Sequence, residues 1–167
     1  MVGTTLSQQL KNYIQTMHAQ GMLDHHFDHV KALQNEENPQ FVMDVISMFS
    51  HDAEAAIAHL TTLLNSAVVD FAMAITLVHQ LRGSSSSIGG QRMAIACRDL
   101  RHACDNMDKE RCLQVLERVK QEYEALRECL HIIFQQPVSG TPLCSSDNQL
   151  VAQSNRVPAQ WMLTVKN

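Results

Sequence analysis

Apolar residues recur at intervals of three and four along nearly the whole chain, and no stretch alternates with the period of two that marks a half-buried strand. Apolar stripes of that kind are hidden by packing helix against helix, so the expected fold is all-α. A first helix is expected from Thr5 to Gln20, with Leu6, Leu10, Tyr13, Ile14 and Met17 inward and Gly21 at its C-terminal end. A second, shorter one starts near Asp24. Asn38 reads as an N-cap with Pro39 at the first helical position, opening a long helix through Val42, Val45, Ile46, Phe49, Ile57, Leu60 and Leu64. Asp70 caps the next helix, which the serine run and Gly89-Gly90 bring to an end. Another follows from Gln91 to about Asn106, and Asp108 caps a last one from Lys109 to about Gln136.

The last four helices carry the long apolar stripes and can close an antiparallel four-helix bundle over residues 38–136, with the additional N-terminal helices of residues 1–37 packed over one end. From Pro137 onward Pro, Ser, Gly, Asn and Gln dominate, and residues 137–167 read as a flexible tail ending in Trp161, Met162, Leu163 and Val165.

A chain of 167 residues has room for one domain, which at this size buries roughly 70% of its unfolded surface. With 13 Lys+Arg against 17 Asp+Glu the net charge is -4, which leaves no basic footprint for nucleic acid. No apolar run approaches the roughly 18 residues that span a bilayer, and the start Met1-Val2-Gly3-Thr4-Thr5 lacks a secretion signal, so a soluble intracellular chain is expected. Five cysteines, an odd number placed mainly on helices, indicate reduced thiols and no disulfide framework.

The residues with chemistry sit on the fourth expected helix. Phe71, Ala74, Val78, Leu81, Ser85 and Ile88 form its core stripe, which turns His79 outward beside Ile75, Arg82, Gly83 and Ser86. Glycine inside a helix costs about 1 kcal/mol relative to alanine, so Gly83 points to close approach by another surface. A neutral imidazole carries an exposed nitrogen lone pair and can act as a nucleophile. Composition alone would make His79 a solvated surface histidine beside a tolerated glycine; the sequence around it decides otherwise.

The stretch from Val78 to Arg92, which reads His-Gln-Leu-Arg-Gly-Ser-Ser-Ser-Ser-Ile-Gly-Gly-Gln-Arg from His79 on, resembles the phosphoacceptor segment of plant histidine-containing phosphotransfer proteins. The resemblance extends to Asn38-Pro39-Gln40-Phe41-Val42, Val69-Asp70-Phe71, Cys112-Leu113 and Val119-Lys120-Gln121-Glu122-Tyr123, and covers roughly residues 24 to 135. It implies that His79 takes a phosphoryl group from the receiver aspartate of a hybrid histidine kinase and passes it to the receiver aspartate of a response regulator. It also implies cytokinin-type signalling, residence in cytoplasm and nucleus, and a carrier without autonomous kinase activity. The family usually has lysine where this chain has Arg82, so a planar fork replaces a compact ammonium with the charge kept.

Aspartyl phosphate and phosphohistidine are both high-energy species, so transfer between them can run either way. Arg82, one turn from His79, is placed to hydrogen-bond the phosphoryl oxygens, and Gly83 lets the partner's metal-bound aspartate come within reach. Magnesium then belongs to the partner receiver domain, because the face around His79 offers no paired carboxylates, and the carrier needs no cofactor of its own. Ile75 supplies an apolar contact for that partner. Gln80 points sideways, toward either a structural hydrogen bond or the partner. Ser86, two turns after His79, is placed to touch the phosphoryl group. Residues 84–87 are not a phosphate-binding loop, since the lysine and the preceding strand of that motif are missing.

Elsewhere, His25 and His29 lie four apart with His26 and Asp24 nearby, but two helical histidines without further ligands read as solvated surface, and no metal site is expected. Cys97 and Cys104, seven apart, read as buried small hydrophobes; Glu117, Lys120, Gln121 and Glu124 read as a solvated face; Tyr123 reads as core. A monomer fits a carrier that exposes one face to successive partners. The rival reading is an adaptor that binds receivers without transferring and competes with active carriers. Inactive versions of the family lack the acceptor histidine, which this chain has. A metal-storing bundle is excluded by the missing Glu-x-x-His pairs.

Overall fold

The computed structural model describes residues 2–134, with side chains from residue 8 onward. The inward side chain expected of Leu6, the helical extension to Gln136, Cys144 and the expected tail over 137–167 lie outside the described residues. Six helices follow one another: α1 (Val2–Ala19), α2 (His25–Leu33), α3 (Phe41–Asn65), α4 (Phe71–Ser87), α5 (Gln91–Asp105) and α6 (Lys109–Phe134). Among the described residues there is no strand, only an isolated antiparallel bridge between Leu23 and Gly90. None of these helices is long and apolar enough to cross a membrane.

Three aspartates start helices by the same device, a carboxylate that accepts a backbone N–H left free in the first turn. Asp24 Oδ1 accepts from the His26 N–H at 2.9 Å, Asp70 Oδ1 from Met73 at 3.0 Å and Asp108 Oδ1 from Arg111 at 3.0 Å. Asp70→Ala should lower stability by about 1 kcal/mol, read as a drop in the urea midpoint with an unchanged slope; no drop would mean that tertiary packing alone holds the start of α4.

Asn38 departs from expectation. Its side chain does not cap α3, which begins at Phe41 with Gln40 in the cap position and no side-chain bond there. The reason is a competing turn: the Asn38 N–H donates to Asn35 Oδ1 at 2.8 Å, and the Asn38 carbonyl accepts from Phe41 at 3.3 Å. Pro39 thus sits in the lead-in turn instead of the first helical position.

Helices α3 to α6 close a ring in which α4 and α6 each pack against both α3 and α5. Short connections force neighbours antiparallel, and Lys109 Nζ, at the start of α6, donates to the Ser66 carbonyl at the end of α3 at 2.8 Å. Leu60, Leu64, Val78, Leu81, Leu100, Leu116, Val119 and Leu126 are almost wholly buried; each such side chain contributes roughly 1.5–3 kcal/mol by leaving water. Tyr123 joins them with its ring and donates its hydroxyl to Glu54 Oε1 at 2.8 Å, so the one polar atom it brings inside is satisfied.

The N-terminal helices cover the end of the bundle where α4 turns into α5. Asp24 N–H donates to the Gly89 carbonyl at 2.9 Å and Gln91 N–H to the Met22 carbonyl at 3.2 Å. Phe27 is buried there, with its ring 5.9 Å from that of Phe134 at the end of α6.

Candidate functional site

The buried stripe of α4 consists of Ala74, Val78, Leu81 and Ser85, followed by Ile88 past the helix end, while Phe71 in the first turn is half-buried. Burying that stripe leaves the opposite face to solvent. His79, Gln80, Arg82 and Gly83 are all exposed, Ser86 and Ile75 half-buried. Ile75 packs against the core as well as bordering the open face, so only part of it is available to a partner.

The serines of residues 84–87 use their hydroxyls locally. Ser84 and Ser85 donate to the Leu81 carbonyl at 3.1 and 2.6 Å, and Ser87 to the Gly83 carbonyl at 2.9 Å. Ser85 can therefore be buried without an orphaned hydroxyl, and its small size suits the crowded inner face of α4. Gln80 is exposed and makes no side-chain hydrogen bond among the described residues, so the structural hydrogen bond expected as one of its two readings is not formed there.

Arg82 has no carboxylate partner among the described residues, whereas Arg92 pairs with Glu122 at 3.0 Å, Arg101 with Asp105 at 3.0 Å and Arg118 with Asp99 at 2.8 Å. Its guanidinium is thus available one turn from His79. It also acts on the thiol of Cys97 on α5, where burial pushes the pKa up to about 12 and Arg82 opposes that rise. Cys97, Cys104, Cys112 and Cys129 are free and buried, and the thiols, all raised chiefly by burial, stay protonated and inert.

Gly83 has no structural cause among the described residues. A Cβ placed on it would meet nothing within 4 Å of them, so packing among the described residues does not demand glycine there. Thr76 and Ala72, missed in the sequence reading, extend the same exposed strip on the N-terminal side of His79. The spacing Ala72, Thr76, His79, Gly83, Ser87 was the available signal, since steps of three and four keep residues on one face. Along this strip His79 is the one large side chain, standing between short ones.

An antiparallel four-helix bundle that carries such a histidine on the open face of one helix has the architecture of a phosphotransfer domain, and the Hpt domain family model matches residues 44–129, from the first turn of α3 into the last turns of α6. Histidine-containing phosphotransfer protein 1 of Arabidopsis thaliana is 36% identical over 152 residues, which cover 91% of this chain and 92% of the relative. Pseudo histidine-containing phosphotransfer protein 5 of rice is 33% identical over 130 residues, 78% of this chain and 86% of the relative. The crystal structure of a histidine-containing phosphotransfer protein from maize superposes with a TM-score of 0.73 at 34% identity, covering 78% of this chain and 95% of that one. The chain belongs to the plant histidine-containing phosphotransfer family. It is a phosphotransfer carrier of the His-Asp phosphorelay.

Proposed function

We propose that His79 is the phosphoacceptor, and that the chain carries a phosphoryl group from the receiver aspartate of a hybrid histidine kinase to the receiver aspartate of a response regulator. The observation that carries this reading is the exposed imidazole of His79 on a strip of short side chains, with the guanidinium of Arg82, unpaired among the described residues, one turn away. In the transfer an imidazole nitrogen lone pair attacks phosphorus. The bond from phosphorus to the aspartyl oxygen breaks, its electron pair stays on the carboxylate, and a phosphorus–nitrogen bond forms. Arg82 hydrogen-bonds the phosphoryl oxygens, with Ser86 at the edge of reach and Ile75 and Gln80 on the docking face. The magnesium ion that neutralises those oxygens is held by the receiver domain, whose carboxylates suit it; the transfer draws no cofactor from this chain.

By the same reading the chain works as a monomer, has no kinase activity of its own, serves cytokinin-type signalling and moves between cytoplasm and nucleus. The test is the transfer itself. A radiolabelled receiver domain of a hybrid kinase, loaded with magnesium, should pass acid-labile label to this protein, and a regulator receiver should then remove it. Receiver binding without any label would replace the carrier by the non-transferring adaptor.

Gly83→Ala separates the two roles of that residue. The isolated chain should gain up to about 1 kcal/mol of stability, because the new methyl meets open space and alanine favours the helix. Transfer should weaken, with the receiver concentration for half-maximal rate rising about tenfold, equivalent to about 1.4 kcal/mol of docking. Thermal unfolding and transfer kinetics read the two effects; a stabilised variant with unaltered kinetics would place the receiver off Gly83.

A further inference from the structure

The structure gathers ligand groups at the start of α2 that have no part in the phosphotransfer site. Asp24, His25 and His26 each offer a donor atom, and these atoms all lie within 4.8 Å of one another. The His25 and His26 rings lie with centroids 4.2 Å apart and planes tilted by 35°, although neighbouring positions on a helix ordinarily diverge. His29, one turn on, brings its ring centroid to 5.7 Å from that of His25 and 6.4 Å from that of His26, roughly perpendicular to both. Three imidazoles and a carboxylate therefore converge on one exposed patch.

The backbone beneath the patch is held firmly. Asp24 Oδ1 accepts the His26 N–H at 2.9 Å and lies 3.2 Å from His26 Nδ1, which leaves Oδ2 for an ion and turns the carboxylate toward the imidazole. The Asp24 N–H is bonded to Gly89, and Phe27 is sunk in the core. Asp28 is engaged elsewhere, with His18 at 3.2 Å.

We propose that Asp24, His25, His26 and His29 form a binding site for one borderline transition-metal dication of the Zn2+ or Cu2+ kind. Imidazole nitrogens with a single carboxylate suit that class, whereas magnesium and calcium require mostly oxygen ligands. Tetrahedral coordination at about 2.0–2.2 Å needs donors about 3.4 Å apart, so the donors of Asp24, His25 and His26, now within 4.8 Å of one another, have to draw closer, and His29, its ring 5.7 Å from that of His25, has to turn in to complete the set. The sequence shows His26 and Asp24 only as neighbours of the His25/His29 pair; the fold brings the donor atoms of Asp24, His25 and His26 within 4.8 Å of one another. Bound metal would tie the Asp24 cap to the first turns of α2, on the segment that covers the end of α4.

The test is titration of the full chain, freed of metal by a chelator, with Zn2+ by calorimetry and with Co2+ by absorption. One equivalent of Zn2+ should bind and raise the melting temperature. Co2+ should give weak visible bands from nitrogen and oxygen ligands without the intense near-ultraviolet band of a thiolate. The double variant His25→Asn/His29→Asn should bind at least about tenfold more weakly, with unchanged far-ultraviolet circular dichroism, while His51→Asn on α3 binds as the parent does. No uptake by the parent chain, undiminished uptake by the double variant, or a thiolate band that places the ion on a cysteine would each overturn the proposal.

Discussion

Replacing His79 by glutamine abolishes uptake of acid-labile phosphate while leaving the bundle and its affinity for receiver domains intact. The position is exposed, so nothing in the core is unpacked, and glutamine is at least as good a helix former as histidine. Stability should stay within about 0.5 kcal/mol of the parent. What vanishes is the nucleophile: the amide nitrogen of glutamine has its lone pair delocalised into the carbonyl and cannot hold a phosphoryl group, so label on the variant falls to background. The measurement is a transfer assay from a phosphorylated receiver, with unfolding and receiver binding measured on the same sample. Label persisting on the variant would move the acceptor to another exposed histidine such as His59.

Gly89→Ala should have the largest effect on stability of any single methyl added near the site. Gly89 has φ +81, and a Cβ there would lie 2.3 Å from the backbone nitrogen of Phe27 and 2.7 Å from its Cβ. The left-handed conformation costs a side chain about 1–2 kcal/mol, and pushing backbone against backbone costs about 1–3 kcal/mol more. The sum is about 3 kcal/mol, or a melting temperature lower by roughly 10 °C for a chain of this size. Relief requires α2 to lift, which breaks the bond from Asp24 to the Gly89 carbonyl and uncovers Phe27. His79 lies eight residues before the last residue of α4, about 12 Å along the helix, so transfer at low temperature should survive. A loss below about 1 kcal/mol in urea unfolding would mean that the turn after α4 yields more easily than the contact distances imply.

Much of the outline of this molecule was legible from local spacing. The helices fall close to where apolar residues recur every three or four positions, and Asp24, Asp70 and Asp108 start three of them because a carboxylate just ahead of such a stripe meets free N–H groups. His79 could be placed on an open face for the same reason: the stripe from Ala74 to Ser85 settles which side of α4 is buried, and the other side follows. Asn38 shows where such reasoning stops. It has the residue type of a cap, yet Asn35 and Asn38 close a turn of their own, and a local hydrogen bond of similar strength displaced the expected one. Ile75 shows a second limit, since a helix face shades gradually from core to solvent and its neighbours decide how far.

By itself the sequence determined the helix set, the face that carries His79, and the family likeness, because each depends on residues within a turn or two of one another or on the order of residues alone. Tertiary packing alone settles that, among the described residues, Arg82 has no acidic partner while Arg92 takes Glu122 thirty residues away, that Tyr123 meets Glu54, and that nothing described would touch a side chain at Gly83. It also settles that Phe27 seals the end of α4 and that Asp24 meets His25 and His26 at the start of α2. Those relations depend on which surfaces meet when distant segments close on one core, and helical periodicity constrains the direction a side chain faces, not what stands opposite it.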